Sequence, residues 1–363
     1  MPERNISQVA YMPYAPIKES FQIGNYDVWP FYLQSGKRVK NQDVIKHLTR
    51  FFNRYVERKF DRINGEYCDK PLEDAVIISP TNYELGLNKL SEIQIEEIKT
   101  ICHIISFCAM NECAFVSSSA DAFILHLYKF QPGSDGVMLG NTLFANLDMV
   151  KLMKPYYIDP SLLKFDKTDL CDVLGKALLF RDRKPVQRIF RALEIFYHTA
   201  THSEMMTDEH RLLSLLMCFE VLLNFNGKES FANKIERMIE NYQPNSEKRA
   251  VKRKNDKEED LTYSKTGWWA YDLYNLRTDI VHGKDINWKF QKYGNIWTRI
   301  QFGGILLRKL IKEILSQESL WPPDDADAII ADAIIEVDRL DIKLENMVAE
   351  FNETYMSENE ASG

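Results

Sequence analysis

Proline divides this chain in two. Nine of its thirteen prolines lie in the first 160 of 363 residues, and only Pro185 and Pro244 interrupt the next 160. Proline lacks the amide donor a helix interior needs, and its ring clashes with the preceding turn. Long uninterrupted helices are therefore expected only after residue 160. Before it, Gln22–Leu33, Asp74–Ser79, Glu112–Ser118 and Ala122–Phe130 are short runs rich in β-branched or aromatic residues, set between turn formers as strands are. Between them, Asp43–Phe60 and Ser91–Ala109 repeat apolar residues at helical spacing. Residues 1–160 are thus expected to form an α+β domain. Its Gly133, Gly136 and Gly140 match neither phosphate-binding glycine pattern and read as a hairpin loop.

From about residue 161 the pattern is helical, which predicts an all-α helical bundle over 161–355 and a disordered tail over 356–363. Pro185 suits the first turn of a helix reaching about Thr201. Thr207 or Asp208 caps the next, to Asn224, followed by a short amphipathic helix over Phe231–Tyr242. The charged stretch Asn245–Gly267 has no apolar period and reads as a long loop. Helix resumes over Trp268–His282, stops at Gly283, and returns over Ile296–Ser316 and, beyond Pro322-Pro323, from Asp325 to about Phe351.

Two charges break this helical pattern. Leu212–Phe225 is apolar almost all round, which predicts a buried central helix, yet it carries Glu220. Trp269, Leu273, Leu276 and Ile280 form the core stripe of the next long helix, and Arg277 projects between Leu273 and Val281, inside its apolar half. An arginine there requires an anion. Glu220 can supply it as an ion pair that fixes helix register; otherwise a phosphate ligand can, whose geometry suits the planar guanidinium. His282 follows by five residues, roughly 140° further round an ideal helix. It occupies the last turn, with Gly283 placed for a left-handed C-cap, where the helix dipole favours positive charge. Histidine is the side chain suited to proton transfer near neutral pH.

Other constellations are less productive. A second arginine-to-histidine run, Arg191 to His198, lies away from its helix's apolar stripe and reads as a solvated face. His198 and His202 stand one turn apart, half of a metal site, but no HExxH or cysteine pair accompanies them, so neither metal nor cofactor is expected. Cys102, Cys108 and Cys113, with His103, lie in or beside an apolar helix and read as buried; six cysteines without a CxxC pair imply reduced thiols. The basic run Lys248, Arg249, Lys252, Arg253, Lys254 reads as a solvated mixed-charge loop, because Glu258, Glu259 and Asp260 follow it; attraction of phosphate is the alternative. With a net charge of −7, any contact with RNA must be local. No apolar stretch reaches the roughly 20 residues of a membrane span. The first residues lack a basic segment followed by an apolar one, so a cytoplasmic protein is expected.

Taken together, RLLSLLMCFEVLLNF, NKIERMIENY and LYNLRTDIVHGK resemble the ApeA-like branch of the HEPN domains, over about residues 205–315. There an apolar helix with a central glutamate precedes a helix ending R-x-x-[IV]-V-H-G. The resemblance implies a helical bundle, usually dimeric, that acts as a metal-independent ribonuclease in anti-phage or toxin–antitoxin systems. It places Arg277 and His282 in the catalytic positions, Thr278 in the polar position after the arginine, and Glu220 at the supporting acidic position. Lys252, Arg253, Lys254 and Lys284 become candidate RNA contacts. The partners implied are an RNA substrate, a second copy of the chain, and a regulatory partner or phage trigger sensed by residues 1–160. The alternative is a non-catalytic HEPN-type module that binds RNA or protein. The long charged loop departs from the family pattern.

Overall fold

The computed structural model describes residues 7–321, except 62–63, 73–74, 87–88, 113–119, 131–136, 140–141, 145–150, 156–164, 202–205, 241–248, 252–260, 264 and 288–294. The chain divides into two compact units, residues 1–222 with 311–321, and residues 223–310 with 322–363. Packing therefore groups residues 161–222 with the α+β part, and the composition change near residue 160 is not the dividing point between units. Among the described residues no helix is long and apolar enough to cross a membrane.

The first unit opens with β1 (Ser7–Met12), β2 (Phe21–Ile23), β3 (Tyr26–Pro30), α1 (Phe31–Arg38) and α2 (Gln42–Phe52). Then come β4 (Tyr55–Asp61), β5 (Glu66–Pro71), β6 (Val76–Pro80), α3 (Glu92–Glu112), β7 (His126–Phe130), β8 (Val137–Leu139), β9 (Thr142–Phe144) and β10 (Leu152–Met153). Three helices follow: α4 (Asp169–Ala177), α5 (Lys184–Thr199) and α6 (Asp208–Leu223). Seven strands make one antiparallel sheet in the order β2-β3-β6-β1-β7-β8-β9, and β10-β4-β5 form a smaller one.

Strand β1 is central and every residue in it is buried, because both faces of the sheet are covered. Trp29, Ile77, Tyr11 and His126 stand in register across four strands. Tyr11 meets Phe51 and Phe52 of α2 edge to face, and its hydroxyl lies 2.5 Å from that of Tyr55. On the opposite face the Met12 sulfur lies 3.3 Å from the Cys102 sulfur of α3, and Tyr26 donates to Glu97 of α3 at 2.5 Å. The alternation of a pleated strand thus divides β1 between two helical layers.

Several expected boundaries shift for local reasons. Gln22–Leu33 is not one strand but the hairpin β2–β3 and the start of α1, because Gly24, at φ 54°, supplies the turn. The helix expected over Asp43–Phe60 is capped by Asn41, whose side chain accepts from the Asp43 amide at 2.9 Å, but it ends at Phe52. Residues from Tyr55 leave it to pair with β5 and β10. Ala122–Phe130 splits into a short 3₁₀ turn, Ala120–Phe123, and β7. Of Glu112–Ser118, Glu112 closes α3 and 113–118 fall outside the described residues; so do Gly133, Gly136, Gly140 and the helix and tail expected beyond Pro322.

The second unit contains α7 (Lys228–Glu240), β11 (Arg249–Val251), β12 (Leu261–Tyr263), α8 (Lys265–Val281) and most of α9 (Ile296–Gln317), which continues from Ile311 in the first unit. Strands β11 and β12 pair antiparallel, so the stretch read as structureless holds a β-ribbon and this part is not purely helical. The β-formers Val251, Thr262 and Tyr263 flank the charged run and favour the ribbon. Phe231, Ala232 and Ile235 of α7 are buried, as are Trp269, Ala270 and Leu273 of α8. The Arg299 guanidinium of α9, fully buried, meets Asp272 at 3.0 Å.

Candidate active site at the end of helix α8

Helix α8 emerges from its unit as it proceeds. Trp269, Ala270, Leu273 and Leu276 are buried at helical spacing, Ile280 is half-buried, and Val281 is 61% exposed. The last turn is therefore a surface turn, and the apolar half assigned to it in sequence is only partly covered.

Arg277 is half-buried, not enclosed. Its guanidinium carbon lies 5.2 Å from the centroid of the Tyr274 ring, one turn earlier on the same face. Tyr274 meets Phe225 edge-on at 6.2 Å, and Phe225 stacks on Phe231 at 4.3 Å. An aromatic column from the core of this unit thus supports the arginine. Thr278 donates its hydroxyl to the Tyr274 carbonyl at 3.0 Å, so its polar group serves the helix itself.

The helix terminus has the form the Gly283 position predicts. Gly283 adopts φ 71°; its amide donates to the Ile280 carbonyl at 2.9 Å, and the Lys284 amide donates to the Asp279 carbonyl at 2.9 Å. These two bonds define a left-handed glycine C-cap and satisfy carbonyls that would otherwise end the helix unpaired. His282 is the C-cap residue, fixed in backbone by this pair of bonds and exposed in side chain. Lys284 forms an ion pair with Asp279 at 2.6 Å. Arg277 and Thr278 thus lie in the last turns of α8, with His282 at its C-cap and Lys284 just beyond.

Glu220 belongs to the first unit. Helix α6 buries Leu212, Leu215, Leu216, Cys218, Phe219 and Leu222, while Met217 is 46% exposed and Glu220 is half-buried. The helix has an outer side, and Glu220 stands on it. Helix α6 is therefore not buried all round, contrary to what its composition predicts. Neither Glu220 nor Arg277 is sealed from water, so neither requires a buried counter-ion. Lys252, Arg253 and Lys254 lie outside the described residues.

The rival constellations resolve differently. His202 falls outside the described residues, and no group of three or more His, Cys, Asp or Glu able to hold a metal occurs among those described. Cys102 and Cys108 are buried as expected, and the Cys102 thiol, pushed up by burial, donates to the Phe123 carbonyl at 2.9 Å. Cys113 lies outside the described residues. The aromatic brace under Arg277 is the feature sequence reasoning missed, although the three-residue spacing of Tyr274 and Arg277 carried the signal. Set against family models, curated proteins and solved structures, the chain matches none of them.

Proposed function

We propose that this chain is a metal-independent endoribonuclease of HEPN type, acting as a homodimer in the cytoplasm in anti-phage defence or a toxin–antitoxin pair. The reading rests on one observation: an exposed histidine and a solvent-reachable, aromatically braced arginine share the capped last turns of α8. In the reaction the 2′-OH of an RNA nucleotide attacks the adjacent 3′-phosphate as the bond to the departing 5′-oxygen breaks. This leaves a 2′,3′-cyclic phosphate and a 5′-OH. His282 moves protons at the attacking or departing oxygen, and Arg277 stabilises the charge gathering on the phosphorane. A two-fold interface places a second such pair beside the first, so that proton removal and proton donation have separate groups. Lys284 adds positive charge beside the histidine, and residues 1–160 restrain the activity through a partner or trigger. The chemistry requires no cofactor.

A non-catalytic binding module is the second reading, favoured by the Tyr274 contact, which gives Arg277 a structural role without any substrate. Labelled RNA incubated with the purified protein, with and without EDTA, separates the two. Cleavage that survives chelation and leaves cyclic or 3′-phosphate ends is expected. EDTA-sensitive cutting with 5′-phosphate ends excludes this mechanism, and RNA retention without cutting favours the binding module.

A further inference from the structure

A cavity of about 530 Å³ opens in the first unit between α3, α5 and the segment entering β7. Its volume falls in the range of small-molecule sites. Ile124, Leu125, Leu127 and Phe190 line it and are all only half-buried, so the chain leaves apolar surface uncovered in a concave place. Set among these groups is His103 of α3, with its ring centroid 4.7 Å from that of Tyr197 and 6.1 Å from that of His198 on α5. Burial, then the neighbouring His198, push His103 down to about 4, with Lys99 adding to the fall and Glu194 and Glu96 opposing it. At neutral pH its ring is uncharged, with one nitrogen donating and the other accepting, as the edge of a heterocycle requires.

The rim is charged. Lys99 pairs with Glu96 at 2.6 Å and Arg191 with Glu194 at 2.6 Å, each within its own helix and each largely in water. Exposed pairs of this kind are held loosely, so an incoming anion can take either cation from its glutamate. Arginine offers that anion a planar two-point contact, and the exposed His198 stands beside it as a further donor.

The geometry points to a binding site for a heteroaromatic anion of about mononucleotide size, its ring against His103, Tyr197 and the apolar wall and its phosphate or carboxylate at Arg191 and Lys99. This site lies in the other unit from the end of α8 and stands whether or not the chain cuts RNA. Calorimetric titration of the full chain tests it with four probes: adenosine 5′-monophosphate, indole-3-acetate, uncharged adenosine and tryptamine. At least one of the two anions is expected to bind at micromolar to millimolar concentration, tenfold or more tighter than adenosine or tryptamine. Which anion binds separates a phosphate from a carboxylate head. Arg191→Ala, a change at an exposed residue, is expected to weaken that binding at least tenfold with an unchanged melting temperature, while His282→Ala leaves it as it was. Binding of none of the probes, equal binding of the uncharged or cationic ones, or unaltered binding to Arg191→Ala would overturn the assignment.

Discussion

Two helices of this protein carry an arginine and then a histidine near their C-terminal ends, and their surroundings differ in kind. On α5, Arg191 is tied to Glu194 at 2.6 Å, and His198 faces His103 of a second helix across the wall of a cavity. On α8, Arg277 lies on the ring of Tyr274, and His282 sits at a glycine-capped terminus in water. The residue types are the same. Arg191 and His198 are both exposed, but the helix packed beside them withdraws its own His103 from water and shares a cavity with them; at α8 the helix simply ends, with Arg277 half-buried and His282 exposed. Residue spacing along a helix therefore does not define a site until the element packed against it is known.

The largest expected effect lies on the α5 side. His103 is depressed to about 4 in the folded chain, against roughly 6.5 when unfolded. Its contribution is thus complete above about pH 6.5. It is lost as pH falls toward 4, because the unfolded chain takes up a proton that the buried ring refuses. The loss amounts to about 3 kcal/mol. His103→Phe should flatten the fall in denaturant midpoint between pH 7 and pH 4.5, leaving the part owed to His126, which burial also lowers. An unchanged slope in His103→Phe would remove the distinction between a buried and an exposed histidine.

The next effect belongs to α8. His282→Ala should lower RNA cleavage by at least ~10²-fold, about 2.7 kcal/mol in barrier height, while stability changes by roughly 0.5 kcal/mol or less. His198→Ala should leave cleavage at the wild-type rate, and an all-deoxy substrate should stay uncut for want of a 2′-OH. Equal losses from the two histidine variants would show that α8 has no special role. Wild-type cleavage by a folded His282→Ala protein would transfer the function to the binding-module reading.

A smaller effect tests the cap. Gly283→Ala places a side chain at φ 71° and should cost about 1–2 kcal/mol. Cleavage should fall as well if His282 is positioned by the cap. A lower melting temperature with unaltered cleavage would show that the histidine works without it.

This cap was legible in sequence because a glycine C-cap is a local device, as were the proline start of α5 and the extent of α9. Strand β1 was not: Ser7–Met12 is buried on both faces, so it lacks the alternation that marks a half-buried strand. The end of α2 was hidden because apolar residues continue past Phe52 into Tyr55 and Val56, and only pairing with β5 and β10 makes them a strand. At the candidate site, Arg277, Thr278, His282 and Lys284 were brought together by chain proximity alone. The exposure of Arg277 and Glu220 was misread, since helical periodicity states a direction but not whether anything covers it. The cavity was invisible for the complementary reason: His103 and His198 come from helices far apart in sequence.

The smallest expected effect follows from that exposure. An arginine sealed against a buried carboxylate would cost about 3–5 kcal/mol to truncate, because its partner would be stranded. Arg277 is half-buried and rests on Tyr274, so Arg277→Ala should forfeit only the cation–π contact and some stem packing, about 0.5–1 kcal/mol. Arg277→Lys keeps a cation above the ring but not the planar fork. It should melt with the wild type while cutting RNA at least tenfold more slowly, if the arginine serves the phosphate. A double-mutant cycle with Tyr274→Leu isolates the ring contact, and its coupling energy should account for most of the single loss. A loss near 3 kcal/mol in Arg277→Ala, with no coupling to Tyr274, would mean that the arginine is held by a buried anion.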